Sequence, residues 1–317
     1  MKIREVPKKS DNREFISLDG SVTSQCRNSY FNSERRSGLF PYSSFINHAC
    51  IGNAACTYIG DIQFVRATED LPKGTQILVQ DIPDEDERLR ARALRERFGP
   101  HFRCHCDLCQ DDRMEAKGTD LERAGLWLKF QNEFPDGEFP PIVASETRGR
   151  QQILADQTSL AMIEATYHPK RTTRLRFHTV MVNLTLGHTW LGLMEHTPLT
   201  KHKEVFMHYK NCLRNLGVLL REDQTTNGKT QSKPHGPIAD VPDNCPILSL
   251  PQMNHDLAVM IMGRIAKECE IDSGPSEAKR WVQAMKWADS LVIGPSVVLF
   301  SERNKPTFES HRLYQYI

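Results

Sequence analysis

Two stretches decide how this chain is read: SFINHACIGNAACTYIGDIQFVRATEDLPKGTQILV at 44–79 and ERLRARALRERFGPHFRCHCDLC at 87–109. The first is a series of short apolar runs broken by turn signals. Ile59-Gly60-Asp61-Ile62, flanked by β-branched and aromatic residues, predicts a hairpin, and Pro72-Lys73-Gly74 predicts a turn into a further strand. The second stretch opens with Leu89, Ala93 or Leu94, and Phe98 at helical spacing, with acidic residues ahead and arginines following, and closes at Gly99-Pro100. The arginine-rich run from Arg88 to Arg97 reads as a solvated face of that helix.

The helix leads into Cys104-x-Cys106-x-x-Cys109. Zinc bound by thiolates needs four ligands at tetrahedral corners, and such close spacing lets a single turn supply three of them. Cys50, at the end of Asn47-His48-Ala49-Cys50, is the preferred fourth ligand, and His101 and His105 are the competing local ones. The chain has 9 cysteines, an odd number, and three of them crowd into 104–109, which suits a metal in a reducing compartment better than disulfides.

Composition narrows the class. With 317 residues and 39 % apolar residues the chain can build one large core or two smaller ones. Lys+Arg 41 against Asp+Glu 40 leaves a net charge of +1, so no global field argues for nucleic acid or a membrane surface. The opening MKIREVPKKSDNREF is polar, with no apolar run behind it. The expected location is intracellular, in the cytoplasm, the nucleus or both, with no membrane partner.

Beyond Cys109 the periodicity turns helical, in LERAGLWLKFQNEF, QQILADQTSLAMIEATY, RFHTVMVNLTLGHTWLGLM, KEVFMHYKNCLRNLGVLL, HDLAVMIMGRIAKEC and SEAKRWVQAMKWADSLV. In the fourth, Val205 or Phe206, Tyr209, Leu213, Leu216 and Leu220 form one apolar stripe that must pack on a neighbour. A polar stretch rich in Pro and Gly, at about 221–252, divides the helices into two groups. Trp281, Met285 and Ala288 share a face of the last helix, and the pairing is similar to that of tetratricopeptide helices.

The two opening stretches together resemble the second half of a SET domain followed by its post-SET zinc site. In that family N-H-S-C-x-P-N precedes a hairpin, then R-A-x-x-D-I-x-x-G-E-E-I, a catalytic tyrosine, and F-x-C-x-C-x-x-C. The helical tail also looks like the C-terminal region of SET proteins with a MYND finger or tetratricopeptides. The resemblance implies an α+β chain: a partial SET β-fold with a post-SET zinc site, then an all-α, helical-repeat-like part. The expected divisions are a polar segment at 1–38, the SET-like half with its zinc site at 39–112, and the helices at 113–317.

By motif position Asn47 and His48 should face the methyl donor, Phe102 its adenine, and Cys50 the zinc alongside Cys104, Cys106 and Cys109. The implied chemistry is methyl transfer from S-adenosylmethionine to a lysine of a protein substrate such as a histone. Such a reaction depends on a neutral amine held in line with the donor.

The chain departs from the family pattern at three places. Ala49 and Gly52 replace the serine and the proline, Asp81 occupies the position of the catalytic tyrosine, and Met1 to Gly38 holds no G-x-G donor loop. An ionised Asp81 would keep the amine charged, so no catalytic residue is assigned and impaired or absent activity is expected. Two other classes remain: a scaffold whose helices bind a protein, and a zinc module contacting nucleic acid, the least favoured because the arginine run reads as a solvated face.

Overall fold

In the computed structural model the described residues are 25–26, 36–37, 40, 42–59, 62–80, 87–115, 118–133, 143, 145–171, 175–197, 202–226, 241–251, 254–293 and, in part, 300–316. Most of 1–38, and Gly60, Asp61 and Asp81, therefore lie outside them. The chain is α+β, with a small mixed sheet followed by a run of helices.

Strands β1 (Gln25–Cys26) and β2 (Arg36–Ser37) pair antiparallel by themselves. The main sheet contains β3 (Asn47–His48), β4 (Ala54–Ile59), β5 (Ile62–Ala67) and β6 (Leu78–Val79), in the order β3-β6-β4-β5. The expected hairpin is β4–β5, antiparallel from Ala54↔Ala67 to Ile59↔Ile62. At the expected turn the Thr75 amide donates to Pro72 O at 3.0 Å, Gly74 takes a φ of 92°, and the chain enters β6, which runs parallel to both β3 and β4.

Helices α1 (Glu87–Phe98) and α2 (Asp107–Met114) follow the sheet, and then α3 (Thr119–Asn132), α4 (Glu146–Ala165), α5 (Phe177–Met194), α6 (His202–Asn215), α7 (Arg221–Thr226), α8 (His255–Asp272) and α9 (Pro275–Ile293). Neighbours in this run pack together as α3/α4, α4/α5, α5/α6, α6/α8 and α8/α9. The predicted α6 stripe is the buried one: Val205, Tyr209, Leu213, Leu216 and Leu220 all join the main core, as do Trp281, Met285 and Ala288 of α9. Helix α5 is apolar on nearly every side, as a central helix must be. Gly187 lets α6 approach it, since a Cβ there would lie 2.5 Å from the Tyr209 ring.

The polar stretch at about 221–252 is not loop throughout. It opens with the short α7, and Leu220 and Ile247 form an isolated antiparallel bridge, so apolar residues at its two ends close it onto the core. Single buried residues in a polar stretch carry no period, which is why the pattern reads as loop.

The sheet is tied to the far end of the helices. Thr57 Oγ1 donates to Val292 O at 2.7 Å and Arg66 Nη1 to Ser290 O at 3.2 Å. Both acceptors lie in the last turn of α9, where carbonyls lack intrahelical partners.

Asp156 in α4 is fully buried, accepts from Gln152 Nε2 at 2.8 Å through Oδ1, and leaves Oδ2 without a partner. Burial pushes its carboxyl up from 3.8 to about 7. The folded state then holds this proton to higher pH than the unfolded chain does. Its contribution is therefore neutral below the unfolded value and becomes a growing cost as pH rises toward 7, reaching about 2–4 kcal/mol. Asp156→Asn is expected to stabilise the protein by about 1–3 kcal/mol at pH 8 and hardly at all at pH 4, read by urea unfolding at both. Burial raises Asp289 to about 7 as well, so part of the pH slope will remain.

Candidate metal centre and donor site

The cysteine site is assembled from two places in the chain. Cys50 leaves β3 in the segment 49–53, which is pinned along β6: Ala49 N donates to Val79 O and Asn53 N to Leu78 O, both at 3.0 Å. Asn53 completes the clamp, with Nδ2 donating to Gln76 O at 2.9 Å and Oδ1 accepting from Leu78 N at 2.8 Å. Gln80 Nε2 holds the Cys50 carbonyl at 3.1 Å.

The glycine at the family's proline position has a local reason. A Cβ on Gly52 would lie 2.7 Å from Leu78 O and 3.0 Å from Val79 Cα, so β6 can cross only where that atom is missing. The same crossing fixes Cys50.

The other three cysteines come from the turn between α1 and α2. Cys104 is buried, and Arg113 Nη1 donates to its carbonyl at 2.9 Å. Cys106 is the N-cap of α2 and Cys109 lies in that helix's first turn, where exposed amides and the helix dipole favour thiolates.

All four sulfurs lie within 4.8 Å of one another, with Cys50 Sγ 3.4 Å from Cys109 Sγ and 3.9 Å from Cys104 Sγ. A tetrahedron with metal–sulfur bonds of about 2.3 Å has edges of about 3.8 Å, so the set is the right size for a thiolate-bound zinc. These distances are far too long for disulfides. Hydrogen bonds from Cys106 and Cys109 hold Cys104 well below the ordinary thiol range, while contacts with Cys104, Cys106 and Cys109, and burial, push Cys50 well above it. His101 and His105 are both exposed, and neither joins the group.

The three residues expected at the donor lie beside this cluster in different settings. His48 is half-buried, with Nε2 3.4 Å from Cys50 Sγ and its ring 6.0 Å from that of Phe98. Phe98 is in turn 4.7 Å from Phe102, which packs on the small core around Cys50 and Cys104. Asn47 is exposed. Among the described residues a cleft of about 180 Å³ opens here, bounded by Leu94, Arg95, Phe102, Arg103 and Arg113. Small-molecule sites usually enclose about 300–1,000 Å³.

The arginine helix corrects the expectation of a solvated face. Arg88, Arg92 and Arg95 are exposed, yet Arg90 is 1 % exposed and shares the buried face with Leu94, while Leu89 and Phe98 stand in solvent. The face that enters the protein is ionic because its partners are acidic. Arg90 pairs with Asp112, and Arg171 reaches Asp112 Oδ1 at 2.9 Å and Glu115 Oε1 at 2.8 Å. Glu115 also pairs with Arg123, whose Nε donates to Thr166 Oγ1 at 2.8 Å and whose guanidinium lies 3.9 Å from the centre of the Tyr167 ring. Sequence reading missed this chain of charges because its members come from α1, the end of α2, α3 and the α4–α5 connection.

No family model matches the chain. Among curated proteins it is 37 % identical over 93 residues to a protein of Gibberella zeae named methyltransferase, a match covering 28 % of this chain and 12 % of that one. It is 33 % identical over 90 residues to histone-lysine N-methyltransferase ASHR1 of Arabidopsis thaliana, covering 28 % and 18 %. Protein-lysine N-methyltransferase SMYD4 of Mus musculus is 31 % identical over 81 residues, covering 25 % and 10 %. The matches thus span less than a fifth of each of these three relatives, and what they support is that part of this chain is similar to lysine methyltransferases of the SET-like kind.

Proposed function

We propose that this chain is a SET-related protein, akin to S-adenosylmethionine-dependent protein-lysine methyltransferases, that carries a zinc centre of the post-SET kind and has lost most or all methyl transfer. The observation that carries the reading is the convergence of Cys50, Cys104, Cys106 and Cys109 into a set of tetrahedral size, in a chain partly similar to lysine methyltransferases. Zinc would cross-link the β3–β6 crossing to the start of α2. Asn47, His48 and Phe102 would face the donor, and the partner would be a lysine-bearing protein in the cytoplasm or nucleus. The division at about 112 and the tetratricopeptide-like character of the helices belong to the same reading. Among the described residues no helix is long and apolar enough to cross a membrane.

Loss of transfer rests on Asp81 at the tyrosine position. When bound, the donor supplies an electrophilic methyl group; the protein must present a neutral amine to it. A carboxylate favours the ammonium instead. Losing a group that polarises a reacting centre commonly costs about a hundredfold to a thousandfold in rate.

Titration calorimetry with S-adenosylmethionine is expected to give weak or no heat, and tritium transfer to mixed histones and cell lysate is expected to stay at background. Turnover by the purified chain would overturn the proposal and make Asp81 a catalytic candidate. The nucleic-acid reading is the weaker one, since Arg88 and Arg92 on the exposed face already pair with Asp120 at 3.6 Å and Glu96 at 3.2 Å.

A further inference from the structure

The cysteine cluster does not end at its sulfurs. Arg90, buried one turn ahead of Leu94 of the cysteine core, lies within the field of Cys50 and Cys109 and pairs with Asp112, three residues beyond Cys109 on α2. A metal held by four thiolates carries a net negative charge, and a buried anion of that kind needs a buried cation beside it. Arg90 is the cation in that position, almost fully excluded from water.

The same side chain begins the ionic chain Arg90–Asp112–Arg171–Glu115–Arg123. Counted alone, that chain has three guanidiniums, Arg90, Arg123 and Arg171, against two carboxylates, Asp112 and Glu115. Both ends of the chain are guanidiniums, and the Arg90 end is the one beside the core that holds the sulfurs, where a loaded metal centre would add negative charge. The far end grips the α4–α5 connection: Arg123 Nη2 donates to Thr166 O at 2.8 Å, and Tyr167 OH meets His178 Nδ1 of α5 at 3.2 Å. Leu175, just ahead of α5, packs in the same small core as Cys50 and Cys104.

We propose that Arg90 is the positioning residue of the metal centre, and that through Asp112 and Arg171 metal occupancy is coupled to the docking of α3 and the α4–α5 connection against α1 and α2. The proposal rests on the zinc reading above and goes beyond it, assigning a role to residues that bind no metal.

The test uses the full chain and zinc itself. Zinc affinity is measured by competition with a chromophoric chelator for the wild type, Arg90→Lys, Arg90→Met and Arg171→Met, with the visible spectrum of the cobalt-substituted protein as a reporter of thiolate geometry. Residues that orient metal ligands typically contribute 10–100-fold to affinity. Arg90→Met is expected to weaken zinc by about that factor and to shift the cobalt bands. Arg90→Lys keeps the charge but loses the planar fork, so it should recover affinity only in part and remain folded if the methionine variant does not.

Arg171→Met touches no sulfur, so its loss of zinc affinity should match the factor by which zinc slows exchange at 163–176, and should leave the cobalt bands unshifted. Its effect should appear in hydrogen exchange: removing zinc should speed amide exchange at 163–176 in the wild type, and the variant should show that fast exchange with zinc still bound. Wild-type affinity and an unchanged cobalt spectrum in both Arg90 variants would overturn the proposal and leave Arg90 a brace between α1 and α2. Exchange at 163–176 that ignores zinc would overturn the coupling. A wild-type chain with no zinc would overturn the metal reading itself, an outcome separate from these two.

Discussion

Purified protein is expected to contain about one zinc per chain, and Cys106→Ser to contain almost none. A serine hydroxyl does not ionise near neutral pH, so the substitution removes a ligand and not merely its geometry. Cys50→Ser should lose most of its zinc as well, because Cys50 is the one sulfur contributed from across the β3–β6 crossing. Structural zinc typically contributes about 10–16 kcal/mol of apparent binding free energy, and here part of that becomes folding energy for the small core of Ile51, Leu94, Leu108 and Leu175. Both variants should therefore melt well below the wild type, or fail to fold around the sheet while the helical signal persists. Cys56→Ser and Cys212→Ser are the controls, since both residues lie outside the group and should leave zinc unchanged. Full zinc in Cys50→Ser would transfer the fourth position to a histidine, and His48, with Nε2 3.4 Å from Cys50 Sγ, is the nearest candidate.

What could be read from the sequence was whatever repeats or clusters along the chain. The α6 stripe is legible because apolar residues recur at the helical period, and the β4–β5 hairpin because its turn dipeptide stands between two apolar runs. Cys104, Cys106 and Cys109 were legible through their spacing, and Cys50 through its place in the Asn47-His48-Ala49-Cys50 motif. Arg90 was not, because an arginine among arginines carries no sign of burial. Its burial follows from Asp112 and Glu115, and both read as ordinary surface residues until the chain folds back to bring Arg171 between them. Gly52 reads as a mild departure from a motif, and its necessity depends on the 2.7 Å approach of a strand more than twenty residues away. Asp81 lies outside the described residues, so its role stands on motif position alone.

Asp112→Ala should be among the most damaging substitutions outside the cysteines. Asp112 is 8 % exposed and its two oxygens serve two different arginines, Arg90 through Oδ2 and Arg171 through Oδ1. Truncating it takes from Arg90 its buried carboxylate partner and leaves Arg171 to share Glu115 with Arg123. Breaking a buried pair by removing one partner costs about 3–5 kcal/mol, whereas exposed pairs are worth about 0–1 kcal/mol. Arg92→Ala, whose pairing with Glu96 at 3.2 Å is in solvent, is therefore the control, expected to change stability by less than about 0.5 kcal/mol. Urea unfolding followed by circular dichroism separates the two, and a loss below about 1 kcal/mol in Asp112→Ala would mean that water already reaches the network. Residues 113–317 expressed alone provide the harsher version of the same cut. That fragment keeps Glu115 for Arg123 and Arg171 but loses Asp112, the sheet atoms that cap α9 and the cysteine core against Leu175. It is expected to be helical and cooperative, because the main core from Phe130 to Leu313 lies wholly within it, and to melt below the full chain by an amount close to the Asp112→Ala loss or larger. A fragment as stable as the full chain would show that the charges joining the two parts contribute nothing net to stability.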